Sequence, residues 1–139
     1  MTQGRHFDVL IVGAGLSGIC AASYLQDRCP GRTYAILEAR GVLGGTWDLF
    51  RYPGIRSDSD MFTLGFSFNP WPHDASIADG GDILKYLEDS ARACGADRKI
   101  RYNRRVERAS WDSGNSRWTL HARNAETAQS VAKIQQVKR

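Results

Sequence analysis

The order of apolar and polar residues predicts a strand, a helix and a second strand at the start of the chain. Phe7 to Val12 is a nearly unbroken apolar run rich in β-branched residues, which is typical of a strand buried on both faces. From Leu16 the less polar residues recur at helical spacing, and this helix is predicted to end between Asp27 and Cys29. Thr33 to Leu37 is the second predicted strand. Together the three elements make a βαβ unit, whose strands are parallel and whose crossover is right-handed.

A long irregular segment follows, and the pattern then predicts a further helix. Residues 41–60 are crowded with Gly, Arg and aromatic residues, and long loops on a rigid scaffold usually carry function. Asp58 to Asp60 is a plausible N-cap for a short helical turn. The longer helix is predicted from about Asp82 to Cys94, with four inward-facing residues: Ile83, Leu84, Leu87 and Ala91.

The last part of the chain predicts one short strand and a hairpin. Lys99 to Tyr102 is the short strand. Val106 to Asp112 and Arg117 to Arg123 predict a β-hairpin around residues 113–116, which read Ser-Gly-Asn-Ser. After Asn124 the pattern fades, and we expect no buried strand in the basic tail from Lys133 to Arg139.

Length and composition indicate a single globular domain. The chain has 139 residues, of which 42% are hydrophobic and 24% charged. The formal net charge is +4, and much of the positive charge lies in a cluster of Arg92, Arg98, Lys99, Arg101, Arg104, Arg105 and Arg108. Such a cluster can follow a phosphate backbone, but no nucleic-acid motif accompanies it. We therefore interpret it as a solvated helix end and hairpin face, with no nucleic-acid partner.

The cysteines and the apolar runs bear on the cellular compartment. Cys20, Cys29 and Cys94 form neither a CxxC pair nor an even set, which argues against a disulfide framework and against a zinc site. The first apolar run is too short for a secretory signal, and no stretch approaches a membrane span. We expect a cytoplasmic chain with no metal site and no membrane span.

A glycine motif joins the first predicted strand to the first predicted helix. Residues 13–18 read Gly-Ala-Gly-Leu-Ser-Gly, which is GxGxxG in the structural context that dinucleotide binding requires. Gly13 permits the tight turn, Gly15 lets a pyrophosphate approach the backbone, and Gly18 lets the helix pack closely on the strand. The phosphates would then meet the helix N-terminus, where the Ser17 hydroxyl could donate another hydrogen bond.

Glu38 is the candidate ribose ligand. It follows the second predicted strand and lies twenty residues after Gly18, where a carboxylate accepts hydrogen bonds from an adenosine ribose. An acid at this place opposes a 2′-phosphate, so the site should take FAD or NAD rather than NADP. The alternative reading of Glu38 is an ordinary surface acid.

A second glycine pair favours FAD over NAD. Gly44 and Gly45 follow Glu38, and the combined spacing resembles the extended fingerprint of two-dinucleotide-binding flavoproteins. A plain turn is the alternative. The resemblance implies an α/β fold: a Rossmann-like FAD-binding βαβ unit of that flavoprotein type, incomplete, with a C-terminal β-hairpin.

The segment after this pair narrows the family. Residues 45–61 read Gly-Thr-Trp-Asp-Leu-Phe-Arg-Tyr-Pro-Gly-Ile-Arg-Ser-Asp-Ser-Asp-Met. This segment resembles the corresponding segment of class B flavoprotein monooxygenases of the Baeyer–Villiger type. Among them it is similar to the mycobacterial subgroup that activates thioamide drugs such as ethionamide. The resemblance runs from about Phe7 to Arg123. It implies an enzyme that uses FAD, NADPH and O₂ to oxygenate a ketone or a sulfur-containing small molecule.

The resemblance also implies site residues. It places Ser17, Glu38, Gly45, Thr46, Trp47 and Asp58 in contact with FAD, and the backbone of Val106 at the adenine. Arg56, Ser57 and Asp58 would lie where NADP(H) meets the flavin. No catalytic residue is assigned in this chain, although Asp58 could orient an arginine. Core packing is the alternative for Trp47, and surface solvation is the alternative for Arg51 and Arg56.

Several family features do not occur in this sequence. It has no second GxGxxG for NADPH and no FxGxxxHxxxW motif. We therefore expect a partial FAD-binding domain at residues 1–123, a divergent or truncated basic tail at 124–139, and a marginally stable chain that does not turn over substrate alone. The alternative is a noncatalytic FAD- or nucleotide-binding remnant of a truncated gene. A flavoprotein disulfide reductase would need a CxxC near the flavin, which the sequence lacks.

Overall fold

The computed structural model describes residues 5–124 in full and the backbone of residues 130–137. The strands are β1 (His6–Phe7), β2 (Val9–Val12), β3 (Tyr34–Leu37), β4 (Ile100–Arg101), β5 (Arg104–Asp112), β6 (Arg117–Asn124) and β7 (Ser130–Val137). The helices are α1 (Leu16–Arg28), α2 (Thr46–Leu49), α3 (Met61–Leu64) and α4 (Gly80–Ala93), and a 3₁₀ turn covers Ala96–Lys99.

The predicted βαβ unit is confirmed. β2, β3 and β4 form a parallel sheet in that order, and α1 connects β2 to β3. All four residues of β3 are buried, as the central strand of the sheet should be. β4 is shorter than predicted, because Lys99 belongs to the 3₁₀ turn and Asn103, just beyond the strand, has a φ of +56°.

The first apolar run differs from its prediction. It is divided at Asp8, whose carboxylate accepts hydrogen bonds from the N–H and the hydroxyl of Thr33, both at 2.7 Å. The first three residues of β2 are half-buried rather than buried on both faces, and the fourth, Val12, is 62% exposed. The reason is position: β2 is an edge strand of its three-stranded sheet.

The second sheet contains the predicted hairpin and a strand that was not expected. β5 and β6 pair in antiparallel register around residues 113–116, which confirms the hairpin. In the tail, where we expected no buried strand, the backbone of β7 pairs with β6 in antiparallel and with β1 in parallel orientation. The tail therefore forms a strand, since backbone pairing needs no apolar signal. The side chains of β7 lie outside the described part, and the boundary at residue 123 stays a prediction.

The largest core cluster lies under α4. Ile83, Leu87 and Ala91 are fully buried against Ile19 and Met61, while Leu84 is half-buried, so the predicted inner face is confirmed. The short turn predicted after residue 58 is α3, whose N-cap Asp60 accepts a hydrogen bond from the Phe62 N–H at 2.7 Å.

Candidate functional site

The glycine motif forms a tight turn between β2 and α1. Gly13 has a φ of +98°, and its N–H donates to the Leu37 carbonyl at 2.8 Å. A Cβ on Gly18 would lie 2.0 Å from the Gly13 carbonyl oxygen, so only glycine fits there. The first turn of α1 carries no acidic side chain, and its N-cap is Gly15. The positive end of the helix is therefore open to an anion.

The second glycine pair packs on the first motif. The Gly44 N–H donates to the Ala14 carbonyl at 3.0 Å. A Cβ on Gly44 would lie 2.4 Å from Leu84 Cδ1, and a Cβ on Gly45 would lie 3.0 Å from Gly15 Cα. The pair thus brings α2 against both the glycine motif and α4, which is more than a plain turn requires.

Two adjoining clefts lie around these glycines. The first, the glycine cleft, has a volume of about 290 Å³ and is lined by Val12, Gly13, Gly15, Leu16, Ser17, Gly18, Gly44, Gly45, Thr46 and Trp47. The second, the aromatic cleft, has a volume of about 310 Å³ and is lined by Thr46, Trp47, Phe50, Tyr52, Ile55, Arg56 and Asp58. Thr46 and Trp47 belong to both walls, so the two clefts meet at the start of α2.

Glu38 lies behind the glycine motif and is only 8% exposed, so it is not a surface acid. Its Oε2 accepts from the Ala14 N–H at 2.8 Å, and its Oε1 accepts from the Arg40 N–H at 2.9 Å. Each carboxylate oxygen has a second lone pair, so these bonds leave capacity for a ligand hydroxyl.

Besides Glu38, two predicted site residues line neither cleft. Ser57 is 2% exposed, and its hydroxyl oxygen accepts from the Ala78 N–H at 3.1 Å, so its side chain holds a loop. Val106 is half-buried against Leu37 in a small cluster on β5. The Arg104 N–H donates to the Glu38 carbonyl at 2.8 Å, which brings the beginning of β5 to the end of β3.

Trp47 is a wall of both clefts and also a core residue. It is half-buried and packs on the cluster under α4. Core packing and cofactor contact are therefore compatible for this side chain.

Asp48 lies beside the clefts and is not among the site residues predicted from the sequence. Its side chain is 6% exposed and forms ion pairs with Arg40 and Arg51. Arg51 also donates from Nε to the Asp48 carbonyl at 3.0 Å, so this arginine is not simply solvated. The signal in the sequence was a lone acid inside an aromatic segment with an arginine three residues later.

Two side chains near the end of β4 have shifted pKa values. Burial raises the pKa of Tyr102, and the negative charges of Asp97, Glu38 and Glu88 raise it further. Burial lowers the pKa of Arg101, as do the positive charges of Arg5 and Arg104. Tyr102 is thus held as a neutral phenol beside the acid at the end of β3.

The residues at the clefts fit a dinucleotide. The glycine cleft offers a helix N-terminus and backbone free of Cβ atoms, which suit a pyrophosphate. Within residues 5–124, Nη1 of Arg40 is a buried nitrogen without a hydrogen-bond acceptor, on the guanidinium that pairs with Asp48.

The described residues contain neither a metal-binding cluster nor a membrane-spanning helix. Their His, Cys, Asp and Glu side chains form no group of three or more that could hold a metal ion. None of their helices combines the length and the apolar character needed to cross a bilayer.

Comparison with known proteins decides the relationship. The FAD-containing monooxygenase EthA of Mycobacterium tuberculosis H37Rv is 57% identical over 123 residues, which cover 88% of this chain. The chain is a relative of the FAD-containing monooxygenases. This finding confirms the resemblance predicted from the sequence. EthA of Mycolicibacterium smegmatis is 60% identical over 116 residues, 84% of this chain.

Fold comparisons agree with this relationship. The family of NAD(P)-binding Rossmann-like domains matches residues 11–76. A solved steroid monooxygenase bound to NADP superposes with a TM-score of 0.81 and 31% identity over 95% of this chain. The chain spans about a quarter of each of these monooxygenases: 25% and 24% of the two EthA proteins and 25% of the steroid enzyme.

Proposed function

We propose that this chain binds FAD across the two clefts, with the pyrophosphate in the glycine cleft and the flavin reaching the aromatic cleft. The observation that carries the proposal is the shared wall of Thr46 and Trp47, which makes one continuous path from the start of α1 to Asp58. The FAD named in the EthA relatives supports the choice of cofactor.

Each part of the path has a proposed role. The N-terminus of α1, with Gly13, Gly15, Ser17 and Gly18, holds the phosphates, because backbone N–H groups and the helix dipole favour anions. The buried carboxylate of Glu38 accepts hydrogen bonds from the adenosine ribose, and the Val106 backbone meets the adenine. Gly45, Thr46, Trp47 and Asp58 lie along the flavin.

The proposed activity belongs to the longer enzyme that the relatives represent. There FAD supplies the redox chemistry, NADPH and O₂ are consumed, and a ketone or sulfur-containing small molecule is oxygenated. Arg56, Ser57 and Asp58 would lie where NADP(H) meets the flavin, and Asp58 could orient an arginine. The NADP named for the steroid monooxygenase supports this assignment.

A second candidate is a noncatalytic FAD-binding remnant. The GxGxxG of residues 13–18 would serve the FAD site of either candidate. Both candidates predict FAD binding, and we expect no NADPH oxidation by the chain alone. NADPH oxidation by the purified chain, with FAD added, would contradict that expectation.

The three cysteines are unpaired, which supports a cytoplasmic chain.

Absorbance titration tests the cofactor proposal. A bound flavin should shift and structure the visible spectrum of FAD, while an equal concentration of NAD should bind far more weakly. Gly15→Ala is the test variant. Its Cβ would lie 3.4 Å from Gly45 Cα, an ordinary contact distance, but would add a methyl group to the backbone that lines the glycine cleft. Gly81→Ala, in open space on α4, is the control. The proposal fails if FAD does not bind, or if both variants bind it equally well.

A further inference from the structure

The side chain of Asp48 is the most deeply buried carboxylate beside the two clefts, and it is linked to both of them. It lies in α2 directly after Trp47, the residue that lines both walls. Asp48 is 5% exposed as a residue, whereas its two partners are more accessible: the side chain of Arg40 is 35% exposed and that of Arg51 is 70% exposed. The Asp48 carboxylate is therefore the least accessible group of this charge cluster.

Arg40 connects Asp48 to the end of the parallel sheet. Its guanidinium pairs with Asp48, and its backbone N–H donates to Glu38 Oε1 at 2.9 Å. The other oxygen of Glu38 accepts from the Ala14 N–H, in the glycine motif, at 2.8 Å. One chain of charge-assisted hydrogen bonds thus runs from the glycine motif to α2, and such bonds are stronger than neutral ones.

Arg51 connects Asp48 to the wall of the aromatic cleft. It pairs with the Asp48 carboxylate and donates to the Asp48 carbonyl at 3.0 Å. The wall that begins here has little apolar burial of its own, since Phe50 is 50% and Tyr52 is 60% exposed. A four-residue helix such as α2 is not stable by itself, so its orientation depends on external contacts.

We propose that Asp48 is a positioning residue that fixes Trp47 and the aromatic cleft relative to the glycine motif. It thereby determines how tightly the flavin half of the cofactor is bound. The inference rests on the proposed FAD function for its effect on binding. Loss of the negative charge leaves two guanidinium groups facing each other and removes the link from α2 to the end of the parallel sheet through Arg40. The adenosine half, held by the glycine motif and Glu38, is affected much less.

The test compares Asp48→Asn, Asp48→Glu and a matched control in the 139-residue chain. Asp89→Asn is the control, because Asp89 also pairs with two cations, Lys85 and Arg92, but lies 45% exposed on α4. FAD probes both clefts and ADP probes the adenosine half. We expect Asp48→Asn to weaken FAD binding about tenfold, as loss of hydrogen bonds to a charged group should, and to change ADP binding less than about twofold. Asp48→Glu should restore part of the FAD affinity.

A cofactor-free measurement reports on Trp47 itself. The chain labelled with 5-fluorotryptophan should give four ¹⁹F resonances, and Trp47→Phe assigns one of them. We expect Asp48→Asn to shift or broaden the Trp47 resonance and to leave that of the core residue Trp71 in place, with no change in Asp89→Asn. If Asp48→Asn does not fold, Arg51→Gln removes the exposed partner alone and should give a smaller change of the same kind.

Two results would overturn the inference: an unchanged Trp47 resonance in the folded variants, or an equal loss of FAD and ADP affinity in Asp48→Asn. If the unaltered chain binds neither FAD nor ADP, the proposed cofactor function fails, and the ¹⁹F comparison still decides whether Asp48 positions Trp47.

Discussion

Gly15 and Gly45 meet through their Cα atoms. A Cβ added to Gly45 would lie 3.0 Å from Gly15 Cα, and one added to Gly15 would lie 3.4 Å from Gly45 Cα. The contact joins the turn after β2 to the beginning of α2, and both residues line the glycine cleft. The two glycine motifs are therefore one structural unit, and substitutions in either should affect the same cleft.

Gly18→Ala should strongly destabilise the chain. The added methyl group would lie 2.0 Å from the Gly13 carbonyl oxygen, and backbone cannot move aside as a flexible side chain can. We expect a loss of about 3 kcal/mol in the free energy of unfolding, measured by urea denaturation with circular dichroism. Gly81→Ala, which meets nothing within 4 Å and lies in α4, should be neutral or slightly stabilising. Equal effects of the two substitutions would contradict the packing argument.

Gly45→Ala and Gly54→Ala separate close contact from backbone strain. Both glycines have positive φ values, +54° and +82°, but only Gly45 has a neighbour within 4 Å of its would-be Cβ. Gly54→Ala should cost about 1 kcal/mol from the left-handed backbone alone. Gly45→Ala should cost at least twice as much, because the clash with Gly15 adds to the strain. Thermal unfolding of the two variants side by side is the measurement, and a larger loss for Gly54→Ala would be the contrary result.

Glu38→Gln should weaken the ribose half of the site. The amide keeps one acceptor oxygen where the carboxylate accepts from two backbone N–H groups, so one buried N–H loses its partner. We expect ADP-ribose to bind about tenfold more weakly by isothermal titration calorimetry, a loss of the size that a bond to a charged group supports. A 2′-phosphorylated ADP-ribose should lose less, because the repelling charge is gone. Glu107→Gln, at an exposed ion pair with Arg123, should bind both ligands as the unaltered chain does.

The stability that Asp8 contributes should disappear in acid. Hydrogen bonds from the Thr33 hydroxyl and N–H lower the pKa of Asp8 below its ordinary 3.8. Because the folded pKa is below the unfolded one, the contribution is present above pH 3.8 and is lost as the pH falls through the folded pKa. Urea unfolding of the unaltered chain and of Asp8→Asn should therefore differ at pH 7 and converge towards pH 3. Thr33→Val, which keeps the N–H and removes the hydroxyl, should show part of the difference at pH 7. A gap that stays constant with pH would show that the Asp8 charge is not responsible.

Local signals predicted the elements of this fold well. The period of apolar residues located α1 and the inner face of α4, and the acidic residues before α3 indicated its cap. Such signals are readable because helix period, caps and tight turns depend on residues within a few positions of one another. The GxGxxG spacing and its strand-to-helix context likewise placed Gly13, Gly15 and Gly18 correctly at one turn.

Other features depend on which surfaces meet. The half-buried state of β2 follows from its place at the edge of the parallel sheet, and the pairing of β7 with β1 joins the two ends of the chain. No local pattern contains either fact, since an apolar run is the same at an edge and at a centre. In the same way, no local pattern predicts that the Ser57 side chain is buried and accepts a hydrogen bond from the Ala78 N–H.

The sequence by itself determined the βαβ order, the glycine turn and the acid that follows β3, because these are set by short-range spacing and residue type. The tertiary structure decided what these groups touch: Gly45 against Gly15, Glu38 behind the Ala14 N–H, and Asp48 between two arginines. Burial of a carboxylate and the absence of room for a Cβ arise only when distant segments pack together, so a linear pattern cannot specify them.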